Sequence, residues 1–226
     1  MLKTRRRFYT ASGFLVAFTL WTILLRLVDV QAIGPDGTMV GFATVNGFVH
    51  RLTGVCMPIY TITDWLGLVP VAIGFGFAIM GLIQWILRKD IRKVDFDILV
   101  LGGFYLLMLV VYLLFESVVI NYRPVLINGY LEVSYPSSTT LLVLCVMPTT
   151  LWQVHHRARP RLLRRITAIA IWLFALFMVI GRLLAGVHWM TDIIGGVLLG
   201  GGLVTLYDAV CRLKKHHAGG YIKSIG

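Results

Sequence analysis

Long apolar runs alternate with short charged stretches along the whole chain. Uncharged segments occupy 8–25, 65–87, 98–115, 133–154, 166–181 and 193–207. A helix needs about 20 predominantly apolar residues to cross a bilayer, with a range of about 17–25. The last two runs are short, and they reach that length by taking in Arg182 at one outer end, or His188 and Asp192 at the other. The pattern predicts six membrane-spanning helices. The run Phe8–Leu25 has 18 residues and follows Lys3, Arg5, Arg6 and Arg7. That exceeds the roughly 7–15 residues of a signal-peptide core, so an uncleaved first span is expected even though Val30-Gln31-Ala32 imitates a cleavage site.

Between the first two spans the period changes. In 37–52, Phe42, Val45, Phe48, Val49 and Leu52 fall at three- and four-residue steps. This is one apolar stripe on a helix too short and too polar to span, expected to lie amphipathically in the outer interface. The following 55–64 contains Pro58 and should dip back towards the bilayer. Gly195, Gly196, Gly200, Gly201 and Gly202 on the sixth span read as close helix packing, because no phosphate-cradling Gly-Lys-Ser/Thr follows them. No internal repeat interrupts 1–226, read as a single all-α membrane domain.

Composition agrees: 58% of residues are hydrophobic and 14% charged, against about 45–50% and about 25% in a soluble domain. Soluble globular and disordered classes are excluded. The net charge of +11 raises a nucleic-acid partner, and sorting the cations removes it. Seventeen of the 21 Lys and Arg residues fall in the linkers 1–7, 88–93, 157–165 and 212–223. The linkers 33–64, 117–135 and 182–187 are poor in them. Cytoplasmic loops collect Lys and Arg, so both termini are expected in the cytoplasm, and the bilayer is the partner implied. Cys56, Cys145 and Cys211 show no disulfide or metal-site spacing, and His155-His156 and His216-His217 read as solvated pairs.

Four cations are left near the outer face: Arg26, Arg51, Arg123 and Arg182. A charge at the membrane edge that orientation does not explain is a functional candidate. Arg26 is expected to pair with Asp29, three residues on. Arg182 closes the fifth span, and His188 and Asp192, four apart, open the sixth. On one helical face the carboxylate would accept a proton from one ring nitrogen and leave the other as base or nucleophile. Arg123 lies in Asn121-Tyr122-Arg123-Pro124 after the third span. Two guanidiniums beside a His–Asp pair describe a phosphate site. The bland alternative is an ordinary helical ion pair and two headgroup anchors.

The stretch Gly181 to Asp192 resembles the third signature of the type 2 phosphatidic acid phosphatase family: Ser-Arg, five residues, His, three residues, Asp. Arg182, His188 and Asp192 match, and Gly181 replaces the Ser. The first signature, Lys, six residues, Arg-Pro, is matched by Arg123-Pro124 but has Glu116 at the Lys. The second, Pro-Ser-Gly-His, reads Pro136-Ser137-Ser138-Thr139. The resemblance implies a two-step phosphoryl transfer without metal or cofactor. His188 would become phosphohistidine and Asp192 would orient it. Arg123, Arg182, Ser137 and Ser138 would hold phosphate oxygens. The substrate would be a membrane lipid phosphate or diphosphate, of undecaprenyl diphosphate, phosphatidylglycerol phosphate or phosphatidic acid type, at the outer face of a bacterial-type plasma membrane.

Thr139 stands where the family's leaving-group acid stands, and a threonine cannot serve at neutral pH. General acid catalysis is worth about 10²–10⁴-fold. Three readings are open: a substitution introduced into an active phosphatase, a lipid diphosphate substrate whose phosphate leaving group has a second pKa of about 6, or a lipid-phosphate binder without catalysis. A lipid phosphotransferase using the same His is a further alternative. Glu116 is expected to be protonated or paired with Arg123. Arg51 is the candidate for the missing cation, with a headgroup anchor as its plainer role. Spans three, five and six carry no ionisable group near the midplane, which weighs against a transporter.

Overall fold

The computed structural model describes residues 2–223, with side chains described except at Lys3 and from Lys214 onward. Lys3, Lys214, Lys215, Lys223 and the His216-His217 pair therefore lie outside the described side chains. The chain forms α1 (Leu2–Leu27), α2 (Ala43–Thr53), α3 (Met57–Leu66), α4 (Leu68–Arg88), α5 (Phe96–Ser117), α6 (Ser138–Arg157), α7 (Arg161–Leu184) and α8 (Met190–Lys223). Among the described residues extended backbone is limited to isolated bridges, Gln31 with Val40, Tyr122 with Val133 and Ile127 with Tyr130. The protein is an all-helical, multi-pass membrane protein.

Five helical courses are long and apolar enough to cross a membrane: Thr4–Leu27, Met57–Arg88, Phe96–Ser117, Arg161–Leu184 and Met190–Leu213. α6 has 20 residues and is more polar. It packs against α4, α5, α7 and α8, and its polar side chains are satisfied within the protein. Thr149 Oγ1 donates to Cys145 O at 2.8 Å, and Gln153 Nε2 donates to the Tyr207 hydroxyl at 2.9 Å. A helix shielded by its neighbours has no need of the all-round apolar surface that lipid demands.

Helix boundaries depart from the apolar runs. α1 begins at Leu2 and carries the basic stretch on its first turns, and α7 begins at Arg161 inside the expected linker. Helical hydrogen bonding continues past the apolar core, because long cationic side chains can reach outward from a helix end. Residues 133–137, counted in the fourth run, are loop, with a cis Tyr135-Pro136 bond. α2 starts at Ala43, not near Gly37, after Phe42 in a left-handed conformation. Its stripe is confirmed as an exposed face at Val45, Phe48 and Leu52, while Ala43 and Asn46 are buried. Residues 57–66 form α3, which joins α4 through Gly67.

The expected Arg26–Asp29 pair does not form. Asp29 lies beyond α1 at φ 47, and its carboxylate accepts from the Thr44 backbone N–H at 2.7 Å. That bond, with Gln31, holds the Asp29 carboxyl below the usual range. Arg26 instead donates to Val119 O at 2.6 Å.

α1 packs most extensively on α8. Their seam and α5 enclose Phe18, Leu101, Phe104, Tyr135, Leu199, Leu203 and Tyr207. The glycines of α8 serve this seam as expected. A Cβ at Gly195 would stand 2.5 Å from the Tyr135 ring, and one at Gly202 2.9 Å from Leu15. The basic helix ends are tied by Arg88–Asp95 (2.8 Å), Arg157–Asp97 (2.7 Å) and Arg212–Asp208 (2.8 Å). Each is substantially exposed and worth about 0–1 kcal/mol; packing carries the bundle. The candidate catalytic residues lie at the opposite helix ends.

Candidate active site

The loop 185–189 connects α7 to α8 and carries His188. It begins at Ala185, whose carbonyl accepts from Cys56 N at 3.1 Å. Gly186 sits at φ 67, and a Cβ there would meet Gly54 O at 2.1 Å. Only glycine allows this left-handed turn against the α2–α3 connection. Asp192 is in the first turn of α8, and its Oδ2 accepts from Trp189 N at 3.0 Å, closing the helix start. Asn121 Nδ2 donates to Asp192 Oδ1 at 3.0 Å. α2 locks the same turn: Asn46 Nδ2 donates to Thr191 Oγ1 at 2.9 Å, and Thr191 N to Asn46 Oδ1 at 3.3 Å.

His188 and Asp192 do meet, though not on one helical face. His188 precedes α8, and its Nδ1 is 3.7 Å from Asp192 Oδ2. That is an ion-pair distance, longer than a hydrogen bond. On the other side, Arg123 Nη1 is 3.3 Å from His188 Nε2 and 3.4 Å from Val187 O. A guanidinium has donors and no acceptor. Nε2 must then be the unprotonated nitrogen, and Nδ1 carries the proton towards Asp192. Burial presses the His188 pKa down to about 4, against the opposing pull of Asp192 and with help from the charge of Arg123. At neutral pH the imidazole is uncharged with its Nε2 lone pair free, the state a nucleophile needs.

Arg123 is placed by a hairpin inside the expected linker 117–135. Asn128 (φ 51) and Gly129 (φ 82) form its turn, the residue pair favoured where both central φ angles are positive. Arg123 N donates to Glu132 O at 3.0 Å, and the Arg123 Nε lies 2.9 Å from Glu132 Oε2. Of the two expectations for Glu116, protonated or paired with Arg123, the pairing is not formed, and Glu132 takes that place. Glu116 is exposed at the end of α5 and, with Ser138, Ser134 and Tyr112, lines a small crevice.

Arg182, in the last turn of α7, is 3% exposed. Its Nη2 donates to Thr139 Oγ1 at 2.6 Å and to Asp64 Oδ1 at 2.9 Å. The guanidinium lies 5.1 Å from the Tyr60 ring centroid. Its Nε and Nη1 have no protein partner. Buried charged donors are costly when unsatisfied, so these two ask for an acceptor from outside. The charges of Arg123 and Arg182 act on each other and on His188, which puts both arginines around one spot. Gly181 has a local reason as well: a Cβ would be 2.7 Å from Thr63 Cγ2, so α3 can pack on α7 and bring Asp64 to Arg182.

Ser137 caps α6, accepting from Thr140 N at 3.5 Å, and its own N–H donates to Asp192 O at 3.1 Å. It therefore joins the two helix starts. Arg51 is exposed, with its Nη1 turned back towards Gly47 on its own helix, and no bond to the cluster is formed. The structure thus unites Arg123, Thr139, Arg182, His188 and Asp192. It adds Asp64, Glu132 and Asn121. Among the described residues no group of His, Cys, Asp and Glu is arranged to hold a metal ion.

Residues 116–212 match the model of the PAP2 superfamily. The matched region begins at Glu116, where the first signature begins, and takes in Arg123, Thr139, Arg182, His188 and Asp192. The fold likeness reaches beyond the PAP2 region. A crystal structure of a transmembrane PAP2-type phosphatidylglycerolphosphate phosphatase from Bacillus subtilis is similar with a TM-score of 0.54, at 20% identity, over 90% of this chain and 96% of that one. No curated protein sequence matches the chain.

Proposed function

We propose that the protein is a single-domain membrane hydrolase that removes a phosphate from a lipid phosphate or diphosphate through a phosphohistidine at His188. The observation that carries this reading is the buried Arg182 with two unpartnered N–H groups, in the field of Arg123 and an uncharged His188. These donors and positive charges suit an anion, and phosphate has the charge and the oxygens to accept from them. The PAP2 region and the fold of the phosphatidylglycerolphosphate phosphatase support a lipid substrate.

In the first step, Nε2 of His188 attacks phosphorus, with Asp192 stabilising the Nδ1–H side as the ring gains positive charge. Arg123 and Arg182 take the oxygens where charge accumulates. The lipid oxygen departs with the bonding pair. Water then releases phosphate. The apolar tail has a place to lie: a cavity of about 380 Å³ lined by Ile59, Ile62, Leu173, Phe177, Ile180 and Gly181 adjoins Arg182 between α3 and α7. The reading includes six spans with α6 as the fourth, α2 in the outer interface, both termini in the cytoplasm and the site at the outer face of a plasma membrane of bacterial type.

Thr139 favours a diphosphate among the lipids named. Its hydroxyl is engaged by Arg182 and supplies no proton at neutral pH, so the leaving group must depart without one. A lipid panel tests this. Thr139→His should raise monoester hydrolysis by about tenfold or more. A smaller rise contradicts the missing-acid explanation. Transfer to a second lipid would show as labelled phosphate appearing in lipid and not as free phosphate.

A further inference from the structure

Asp64 belongs to none of the three signatures, yet its carboxylate is bonded to the site. Asp64 Oδ1 and Thr139 Oγ1 share one nitrogen, Nη2 of Arg182. The Arg182 side chain is 3% exposed and the Asp64 side chain 58%. Asp64 therefore extends the buried donors to the surface of the protein.

Arg123 stands against the nucleophilic Nε2, while Arg182 holds Thr139 and Asp64 on one nitrogen. Thr139 occupies the position that the family resemblance gives to the leaving-group acid. In-line displacement at phosphorus places the departing or entering oxygen opposite the nucleophile. Three carboxylates surround the site. Asp192 lies behind His188, on the Nδ1 side. Glu132 is held on Arg123, beside the nucleophile. Asp64 alone is bonded beside Thr139, through Arg182 Nη2, at the leaving-group position. Paired with a guanidinium, it has a lone pair to accept a proton and no proton to give.

We infer that Asp64 is the general base of the second half-reaction, taking a proton from the water that hydrolyses the phosphohistidine. This rests on the phosphohistidine reading above. The water oxygen bonds to phosphorus as the Nε2–phosphorus bond breaks, and that pair returns to Nε2. The water proton passes to the Asp64 carboxylate. Phosphate leaves, and Asp64 gives up the proton from its exposed side. In the first half-reaction Asp64 donates nothing, so the leaving oxygen must be stable as an anion. A lipid diphosphate, which releases a phosphate monoester, meets that condition.

The test uses the full chain, a prenyl diphosphate radiolabelled in its terminal phosphate, and quenching at successive times in alkaline detergent, in which a phosphohistidine survives. Asp64→Asn keeps an oxygen for Arg182 and removes the base. The expected result is labelled protein accumulating towards one label per chain, with phosphate release falling about 10²-fold or more and label uptake changed by less than about threefold. Asp64→Glu should recover part of the release rate. Release unchanged in Asp64→Asn overturns the inference. So does a label uptake that slows as much as release, because Asp64 would then act only by holding Arg182. If no chain carries label and His188→Ala still releases phosphate, the phosphohistidine reading fails, and the base falls with it.

Discussion

A histidine between a carboxylate and a guanidinium is restricted to one tautomer, and here the guanidinium decides which. Arg123 cannot accept a proton, so Nε2 is the free nitrogen of His188. Burial keeps the ring neutral down to about pH 4. The acid limb of kcat/KM, which reports the free enzyme, should then fall near pH 4 once the substrate's own ionisation is divided out. A limb at about 6.5, the value of a solvated histidine, would contradict a buried nucleophile. The sign is the same for stability: a base whose folded pKa is lowered loses stability as pH drops from about 6.5 towards 4. Arg182, His188 and Asp192 were legible in the sequence because one short segment holds them at a fixed spacing. Asp64 and Glu132 were not. A lone Asp at the edge of an apolar run was the available signal for Asp64. Nothing local could say that its partner is 118 residues away.

At the scale of elements, apolar run length located every long helix and misplaced most ends. α1 and α7 continue through their basic flanks because helical hydrogen bonds do not stop where the apolar residues do. α6 was legible as an uncharged run, yet its threonines and Gln153 make it less apolar than the five other long courses. Burial among four neighbouring helices explains the difference. The stretch 117–135 read as a cation-poor linker, although Asn128-Gly129 marks a hairpin turn. That hairpin brings Glu132 back to Arg123 and Ser134 back to Asn121. The stripe of α2 was read correctly from its period. Its inward face was not, because Asn46 finds Thr191 only after α8 has packed beside it.

For the whole molecule, charge and chemistry separate to opposite ends of the bundle. Arg7, Arg88, Arg157 and Arg212 are engaged with Asp208, Asp95 and Asp97 at one end; the phosphate cluster occupies the other. Because cytoplasmic loops collect Lys and Arg, the expected outcome is a cytoplasmic positive end with the cluster facing outward. The cysteines report this directly. Cys56 is half-buried beside Ala185 at the site end, and Cys145 and Cys211 are buried. A membrane-impermeant maleimide should label Cys56 on intact cells. Labelling that requires permeabilised cells would reverse the orientation.

The central claim is that His188 carries the phosphate of a membrane lipid. Its most direct measurement is free phosphate released from a prenyl diphosphate by the purified chain and by His188→Ala at equal concentration. The account predicts steady release by the first and a loss of at least about 10³-fold in the second, on the scale seen when a catalytic nucleophile is removed. Release by His188→Ala within about tenfold of the unaltered chain would contradict it.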